Sequence, residues 1–197
     1  MEVINLYIKP DLKDSSGVSA NSIVNAPATE QDFFAFNKEL KKVRIELASK
    51  EGNFKPVGDK QILMGALMVP DIEIPRSDNG KDYLVKFTPE TIAQIVEKFA
   101  SRNINTAINQ MHDKPVDAVM IQHFIINREL GIMPPLGQDQ LPDGTWFGIV
   151  KVNDKSVWDN FVKTGIYRGF SVEGYFYEEP VITEKEAAFL AEIFSNT

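Results

Sequence analysis

Residues 146–177 read WFGIVKVNDKSVWDNFVKTGIYRGFSVEGYFY, and this stretch decides the fold class. The runs 146–152 and 167–177 are rich in aromatic and β-branched residues, which is typical of β-strands. Between them, Asp154 can cap a helix that Gly165 ends. A strand, a short helix and a second strand therefore predict a protein of mixed α and β structure.

The rest of the chain adds further strands and two more helices. Strands are predicted at 42–48, 62–69, 82–87 and 117–126. The clearest helix spans 88–101, where Thr88 caps the first turn and Pro89 fits within it. A C-terminal helix begins at a capping box that Thr183 and Glu186 form.

Two of the predicted strands carry more specific expectations. Residues 32–50 fit helical spacing as well as strand alternation, and a strand at 42–48 is favoured because a turn sequence follows it. The segment 117–126 is apolar on both faces, so we expect an interior strand.

Strands and helices do not alternate in a regular βαβ rhythm. The predicted fold class is therefore α+β, a mostly antiparallel β-barrel, closed or partly closed, flanked by helices.

The N-terminal part of the chain has a different composition. Residues 13–31, KDSSGVSANSIVNAPATEQ, are rich in Ser, Asn, Ala and Pro and lack sustained periodicity. Such a segment predicts an extended arm or linker. The expected organisation is an N-terminal arm or extension over 1–40 and a β-barrel domain over 41–197 that ends in the C-terminal helix.

Composition disfavours several classes of function. The 197 residues contain no cysteine, which excludes disulfides, thiolate zinc sites and cysteine nucleophiles. A net charge of −7 without a basic stripe argues against nucleic acid as a direct partner. No apolar run approaches the roughly 18 residues that span a membrane, and no signal peptide opens the chain. The sequence has neither a Gly-rich phosphate loop nor a metal-binding cluster, so no cofactor and no metal are expected.

The hexapeptide GFSVEG at 169–174 places Ser171 between two glycines on a predicted strand. A serine nucleophile needs a base with a pKa near neutrality, and histidine is the side chain that offers this unperturbed. The chain has two histidines, and His112 lies in the polar loop NQMHDKP. Ser171 as nucleophile and His112 as general base form the hypothesis of a protease or esterase. The alternative is that each histidine has a structural role.

Glu173 shares a strand face with Ser171, because alternate residues of a strand point to the same side. The favoured interpretation is a structural or substrate-facing acid, and an acid that orients His112 is the other. The glycines on either side of Ser171 are expected to let a substrate backbone approach closely.

Longer motifs follow one another along most of the chain. They are SIVNAPATEQDFFAF, GALMVPDIEIPR, YLVKFTPETI, NQMHD, GTWFGIVKVNDKSVWDNFVKTG and RGFSVEGYF. With these motifs the chain resembles the phage prohead (capsid maturation) serine proteases, particularly the XkdF-like group, which are related to the herpesvirus assemblin proteases. The resemblance implies a herpesvirus-protease-like β-barrel in which Ser171 is the nucleophile and His112 the general base.

The resemblance also implies a function and partners. The implied function is a serine endopeptidase (a hydrolase) that cleaves scaffold and capsid-protein segments, and itself, inside the immature phage head, or prohead, in the host cytoplasm. The implied partners are phage scaffold and major capsid protein segments, and a homodimer is left open. A membrane, nucleic acid or cofactor is not expected to take part. The second hypothesis is a structural or scaffolding head protein that keeps the protease fold without turnover.

One position departs from the pattern of these relatives. Their strand after the histidine loop commonly carries an acid, whereas this chain has IQHF, which places Gln122 there, followed by His123. Gln122 is therefore the candidate third catalytic member, with its amide oxygen accepting the Nδ1–H of His112. Because a neutral group stabilises an imidazolium less well, a weakened or inactive protein stays open. Assemblins use a second histidine after the serine, so that analogy assigns no role to His123.

Overall fold

The computed structural model describes residues 2–25, 34–35, 60–78 and 81–180. The strands are β1 (Glu2–Tyr7), β2 (Gly17–Val24), β3 (Phe34–Ala35), β4 (Ile62–Met68), β5 (Ile74–Asp78), β6 (Lys81–Lys86), β7 (Ile108–Gln110), β8 (Lys114–Pro115), β9 (Ala118–Ile125), β10 (Trp146–Val152), β11 (Gly169–Tyr175) and β12 (Tyr177–Pro180). The helices are α1 (Pro89–Arg102) and α2 (Lys155–Val157), and α2 continues as a π-helical turn at Trp158–Val162.

The described strands form three four-stranded sheets. Their orders are β12-β1-β6-β5, β3-β4-β10-β9 and β11-β2-β7-β8. Most neighbours are antiparallel, whereas β1–β6 and β2–β7 are parallel. The architecture is thus mixed α and β with mostly sheet, and the pairings within the described residues do not close into a barrel. A herpesvirus-protease-like fold stays a prediction.

Helix α1 packs one apolar face into the main core. Its N-terminus is capped as the sequence predicts, since the Thr88 side chain accepts the Thr91 backbone N–H at 3.2 Å. Ile92, Ile95 and Phe99 are fully buried on the inner face. The core also contains both tryptophans, Trp146 and Trp158. The second sheet contributes Leu67 to it, and the third sheet contributes Ile23 and Phe170. Helix α1 and the core thereby fix the third sheet in place.

The prediction of a linker over 13–31 is wrong for residues 17–24. These residues form β2, which lies inside the third sheet between β11 and β7. Likewise β1 lies between β12 and β6, and β3 pairs with β4, so the described part of the predicted N-terminal arm is built into all three sheets. The reason is that β2 buries polar residues, since Asn21 and Ser22 are both completely inaccessible to solvent. Their burial hides the apolar alternation by which a strand is recognised.

The other sequence predictions have mixed outcomes. The strands at 62–69, 82–87 and 146–152 and the helix at 88–101 are confirmed, as is the cap at Asp154. The predicted strand at 117–126 exists as β9, but it pairs only with β10 within the described part of the chain. Among the described strands β9 is therefore an edge strand and not the interior strand that was expected. The run 167–177 contains one strand, β11, and the start of β12. The predicted strand at 42–48 and the C-terminal helix with Thr183 and Glu186 lie outside the described residues.

Candidate active site

One face of the third sheet collects the polar side chains of the candidate site. Ser22 lies directly across from Ser171 in the β2–β11 ladder and beside Asn109 in the β2–β7 ladder. Because paired residues project to the same side of a sheet, these three side chains share one face. Glu173, two residues after Ser171 on β11, points to that face as well. The opposite face carries the buried Phe170 and belongs to the core.

His112 lies in a tight turn at the end of β7, and this turn places it over the same face. The backbones of Met111 and His112 are both left-handed, with φ of 51° and 58°. This conformation is costly for residues other than glycine, so the turn has to be held from outside. The Met111 N–H donates to the Ile23 carbonyl at 3.1 Å. The His112 N–H donates to Ser22 Oγ, also at 3.1 Å.

The Glu173 carboxylate is the centre of the cluster, because its Oε1 has three polar neighbours. Ser22 Oγ donates to Oε1 at 2.5 Å, and Asn109 Nδ2 donates at 3.0 Å. Nδ1 of His112 lies 3.3 Å from the same oxygen. Burial acts to raise the pKa of Glu173, but the hydrogen bonds from Ser22 and Asn109 and the contact with His112 outweigh it, and the pKa lies below its usual value. Glu173 is therefore a carboxylate at neutral pH.

This geometry selects one tautomer of His112. An Nδ1–H directed at the Glu173 carboxylate leaves the lone pair on Nε2, which is the atom that can act as a base. The imidazole is 43% exposed, so a substrate can reach it. Ser171 is half-buried on the same face, across the ladder from Ser22, whose hydroxyl holds the His112 backbone. Ser171 and Glu173 thus share one sheet face, and His112 contacts Glu173 over that face.

Gln122, the predicted third member, lies elsewhere in the fold. It is an exposed residue of β9 in the second sheet, whereas His112 and Ser171 belong to the third sheet. Gln122 and Met120 pair with consecutive residues of β10, so Ile121 is the extra residue of a β-bulge. The carboxylate beside His112 is that of Glu173. Of the two interpretations of Glu173, the geometry favours the orienting acid over the structural one.

His123, the other histidine, packs as an aromatic ring. Its ring lies edge-on to Phe99 and Trp146, with centroid separations of 5.5 and 5.9 Å. Burial lowers its pKa, which favours the neutral ring in this apolar setting. Its contacts are those of a core residue on the second sheet, and they match the structural alternative given for it.

Two residues of the cluster have no counterpart among the sequence-based candidates. Asn109 stands three residues before His112 in the motif NQMHD, so its position in the same motif is a signal that could have identified it. Ser22 gave no signal, because it is one of several serines in a segment without periodicity. Gly174 also has a different role from the one expected. A Cβ there would collide with the Gly17 carbonyl oxygen, so this glycine allows close contact of β2 and β11.

Serine hydrolases use a serine, a histidine and a carboxylate, and residues of these three types occur at this face of the third sheet. A comparison with family models gives one match, over residues 51–178, to the family described as "Putative phage serine protease XkdF". The match covers more than half of the chain, and the protein belongs to this family, as the sequence motifs predicted. Searches of curated proteins and of solved structures each gave no significant match.

The described residues contain neither a metal-binding cluster nor a membrane-spanning helix. In the described residues, no group of three or more histidine, aspartate or glutamate side chains is placed to hold a metal ion. None of the helices in that part of the chain is both long enough and apolar enough to cross a membrane.

Proposed function

We propose that the protein is a serine endopeptidase with Ser171 as nucleophile, His112 as general base and Glu173 as the orienting carboxylate. The observation that carries the proposal is the contact of 3.3 Å between Glu173 Oε1 and His112 Nδ1, on the sheet face that Ser171 shares. Membership in a family described as a phage serine protease supports the same reaction class.

The proposed reaction follows from the tautomer of His112. Nε2 takes the proton of the Ser171 hydroxyl as Oγ attacks the scissile carbonyl carbon, and a tetrahedral oxyanion forms. The imidazolium then gives that proton to the leaving amine, the C–N bond breaks, and an acyl-enzyme remains on Oγ. A water molecule then attacks the ester carbonyl as Nε2 takes its proton. The imidazolium returns that proton to Ser171 Oγ as the acyl C–O bond breaks, which releases the acid and regenerates the serine. The Glu173 carboxylate stabilises the imidazolium in both halves of the cycle.

The proposed substrates are scaffold and capsid-protein segments, together with the chain itself, during maturation of the phage prohead. Support comes from the phage description of the family and from the resemblance to prohead proteases. Two exposed apolar side chains also lie beside the site. Met111 directly precedes His112, and Tyr175, which is 74% exposed, follows Glu173 by two residues on β11. Both are suited to contact apolar side chains of an extended protein segment.

The alternative of an inactive structural head protein rested on the absence of an acid at Gln122. Glu173 removes this reason for the alternative, because it supplies a carboxylate to His112 from a different strand. The alternative therefore has no observation of this structure in its favour.

The proposal is tested by producing the protein together with the scaffold and major capsid proteins of the same phage. We expect shortened scaffold and capsid chains with the wild type and full-length chains with Ser171→Ala. Ser156→Ala is the matched control, because Ser156 is an exposed serine of α2, and it should cleave like the wild type. Equal cleavage by wild type and Ser171→Ala would show that another group does the chemistry.

A further inference from the structure

Ser22 joins the two halves of the candidate site, although its side chain is completely buried. As a donor, its hydroxyl binds Glu173 Oε1 at 2.5 Å. As an acceptor, the same hydroxyl oxygen takes the backbone N–H of His112 at 3.1 Å. One atom therefore contacts both the orienting carboxylate and the backbone of the base.

We propose that Ser22 is a positioning residue, which sets the distance and orientation between His112 and the Glu173 carboxylate. The inference rests on the proposed function and deepens it. Ser22 is too buried to act as a nucleophile itself, so its effect passes through the two residues that it holds. It also lies before residues 51–178, the part of the chain that the family model matches.

The first physical reason is the backbone of the turn. Met111 and His112 are both left-handed, a conformation that persists only where surrounding contacts fix it. Without the Ser22 hydroxyl, the His112 N–H loses its acceptor and the turn loses one of the two hydrogen bonds that tie it to β2. The imidazole is carried on this turn, so any relaxation of the backbone moves Nδ1 and Nε2.

The second reason is the carboxylate. Ser22 and Asn109 approach the same oxygen of Glu173 from β2 and β7, and together they fix the direction in which this side chain points. Both hydrogen bonds favour the ionised form and contribute to the lowered pKa of Glu173. A Glu173 carboxylate that keeps only Asn109 is freer to rotate away from the imidazole.

The N-terminal segment that contains β2 is part of the active site. Strand β2 is the only described neighbour of β11 within the third sheet, and it also contributes Ser22. A protein that lacks this segment is expected to lose the site even where the matched residues 51–178 are intact.

The test compares wild type with Ser22→Ala and with a matched control, Thr145→Val. Thr145 is equally buried, and its hydroxyl donates one hydrogen bond, to the Pro142 carbonyl at 2.7 Å, in the loop before β10. Two quantities are measured in all three proteins. They are the rate at which a fluorophosphonate probe labels Ser171 and the pKa of Glu173, followed by carbon-detected NMR titration.

We expect Ser22→Ala to slow labelling by roughly tenfold to a hundredfold, which is the effect of a small misplacement of catalytic groups. The pKa of Glu173 should rise in the same variant, a change that general loss of stability does not produce. Thr145→Val should keep the labelling rate within about twofold and leave the Glu173 titration unchanged. The reason is that Thr145 lies next to β10 of the second sheet, whereas Ser171 and Glu173 lie on β11 of the third sheet. If Ser22→Ala does not fold, Ser22→Cys keeps a similar size with a weaker donor, and the same two changes are expected.

The proposal is overturned if Ser22→Ala matches Thr145→Val in both quantities. Slower labelling of Ser171 in Ser22→Ala with an unchanged Glu173 titration would also overturn it, because the loss of rate would then not be caused by a change at the carboxylate. If the probe does not label the wild type at all, the proposed function fails. The Glu173 titration still decides in that case whether Ser22 holds the carboxylate, so the two failures can be distinguished.

Discussion

Replacing Glu173 by glutamine removes the negative charge beside His112 and keeps the size of the side chain. The atoms concerned are 3.3 Å apart. Coulomb's law gives about 1.3 kcal/mol for unit charges at this separation in water and about 5 kcal/mol at an effective dielectric constant of about 20. Because the imidazole is 43% exposed, solvent screening favours the lower half of that range. A loss of about 1.3 to 2.7 kcal/mol in transition-state stabilisation corresponds to about tenfold to a hundredfold in rate.

The assay is the rate at which a fluorophosphonate probe labels Ser171 at neutral pH, with folding checked by circular dichroism. The labelling rate of Glu173→Gln should fall by about tenfold to a hundredfold relative to the wild type.

The matched control is Glu129→Gln, since Glu129 is an exposed acid in the loop between β9 and β10. It should leave the labelling rate unchanged. A loss of less than about threefold in Glu173→Gln would refute the orienting role, because the lost attraction between the two charges predicts a loss of at least about tenfold.

Further predictions concern the other candidate residues and the stability of the fold. Ser171→Ala and His112→Ala should each abolish self-cleavage and scaffold cleavage, seen on gels, because nucleophile and base act as a unit. Gln122→Ala should change the cleavage rate by less than about twofold, since exposed substitutions away from a site have small effects. Asp14→Asn should lower the melting temperature at pH 7, because hydrogen bonds from the Ser16 side chain and backbone hold the pKa of Asp14 far below its usual range. The difference from wild type should shrink progressively as the pH falls below the ordinary pKa of 3.8, because acid then protonates this carboxylate in the unfolded chain before it does so in the folded protein.

The elements that the sequence predicts correctly are those whose signals are local. Helix α1 carries its own cap at Thr88, a proline in the first turn and an apolar face, all within 88–102. Strands β4 and β10 consist mostly of apolar residues, and they could be recognised without any knowledge of their partners. The candidates Ser171 and His112 rest on equally local signals, since each chemistry has few residue types that can perform it, and their catalytic roles stay predictions.

The elements that could not be predicted depend on distant contacts. Strand β2 looks like a linker because the partners of its buried Ser22 are more than 80 residues away along the chain, at His112 and Glu173. Gln122 was preferred to Glu173 as the third catalytic member for the same reason, because the position of Glu173 also depends on contacts between distant parts of the chain. The register that turns Glu173 towards His112 is set by the pairing of β11 with β2 and of β2 with β7, and no local pattern records it.

The role of Ser171 as a nucleophile activated by His112 underlies every other assignment in the site. Incubation of the wild-type protein with a fluorophosphonate probe, followed by peptide mapping, locates the labelled residue. We expect a single adduct on Ser171, absent from Ser171→Ala and strongly reduced in His112→Ala. An adduct on another serine, or labelling of Ser171 at the same rate in His112→Ala as in the wild type, would contradict it.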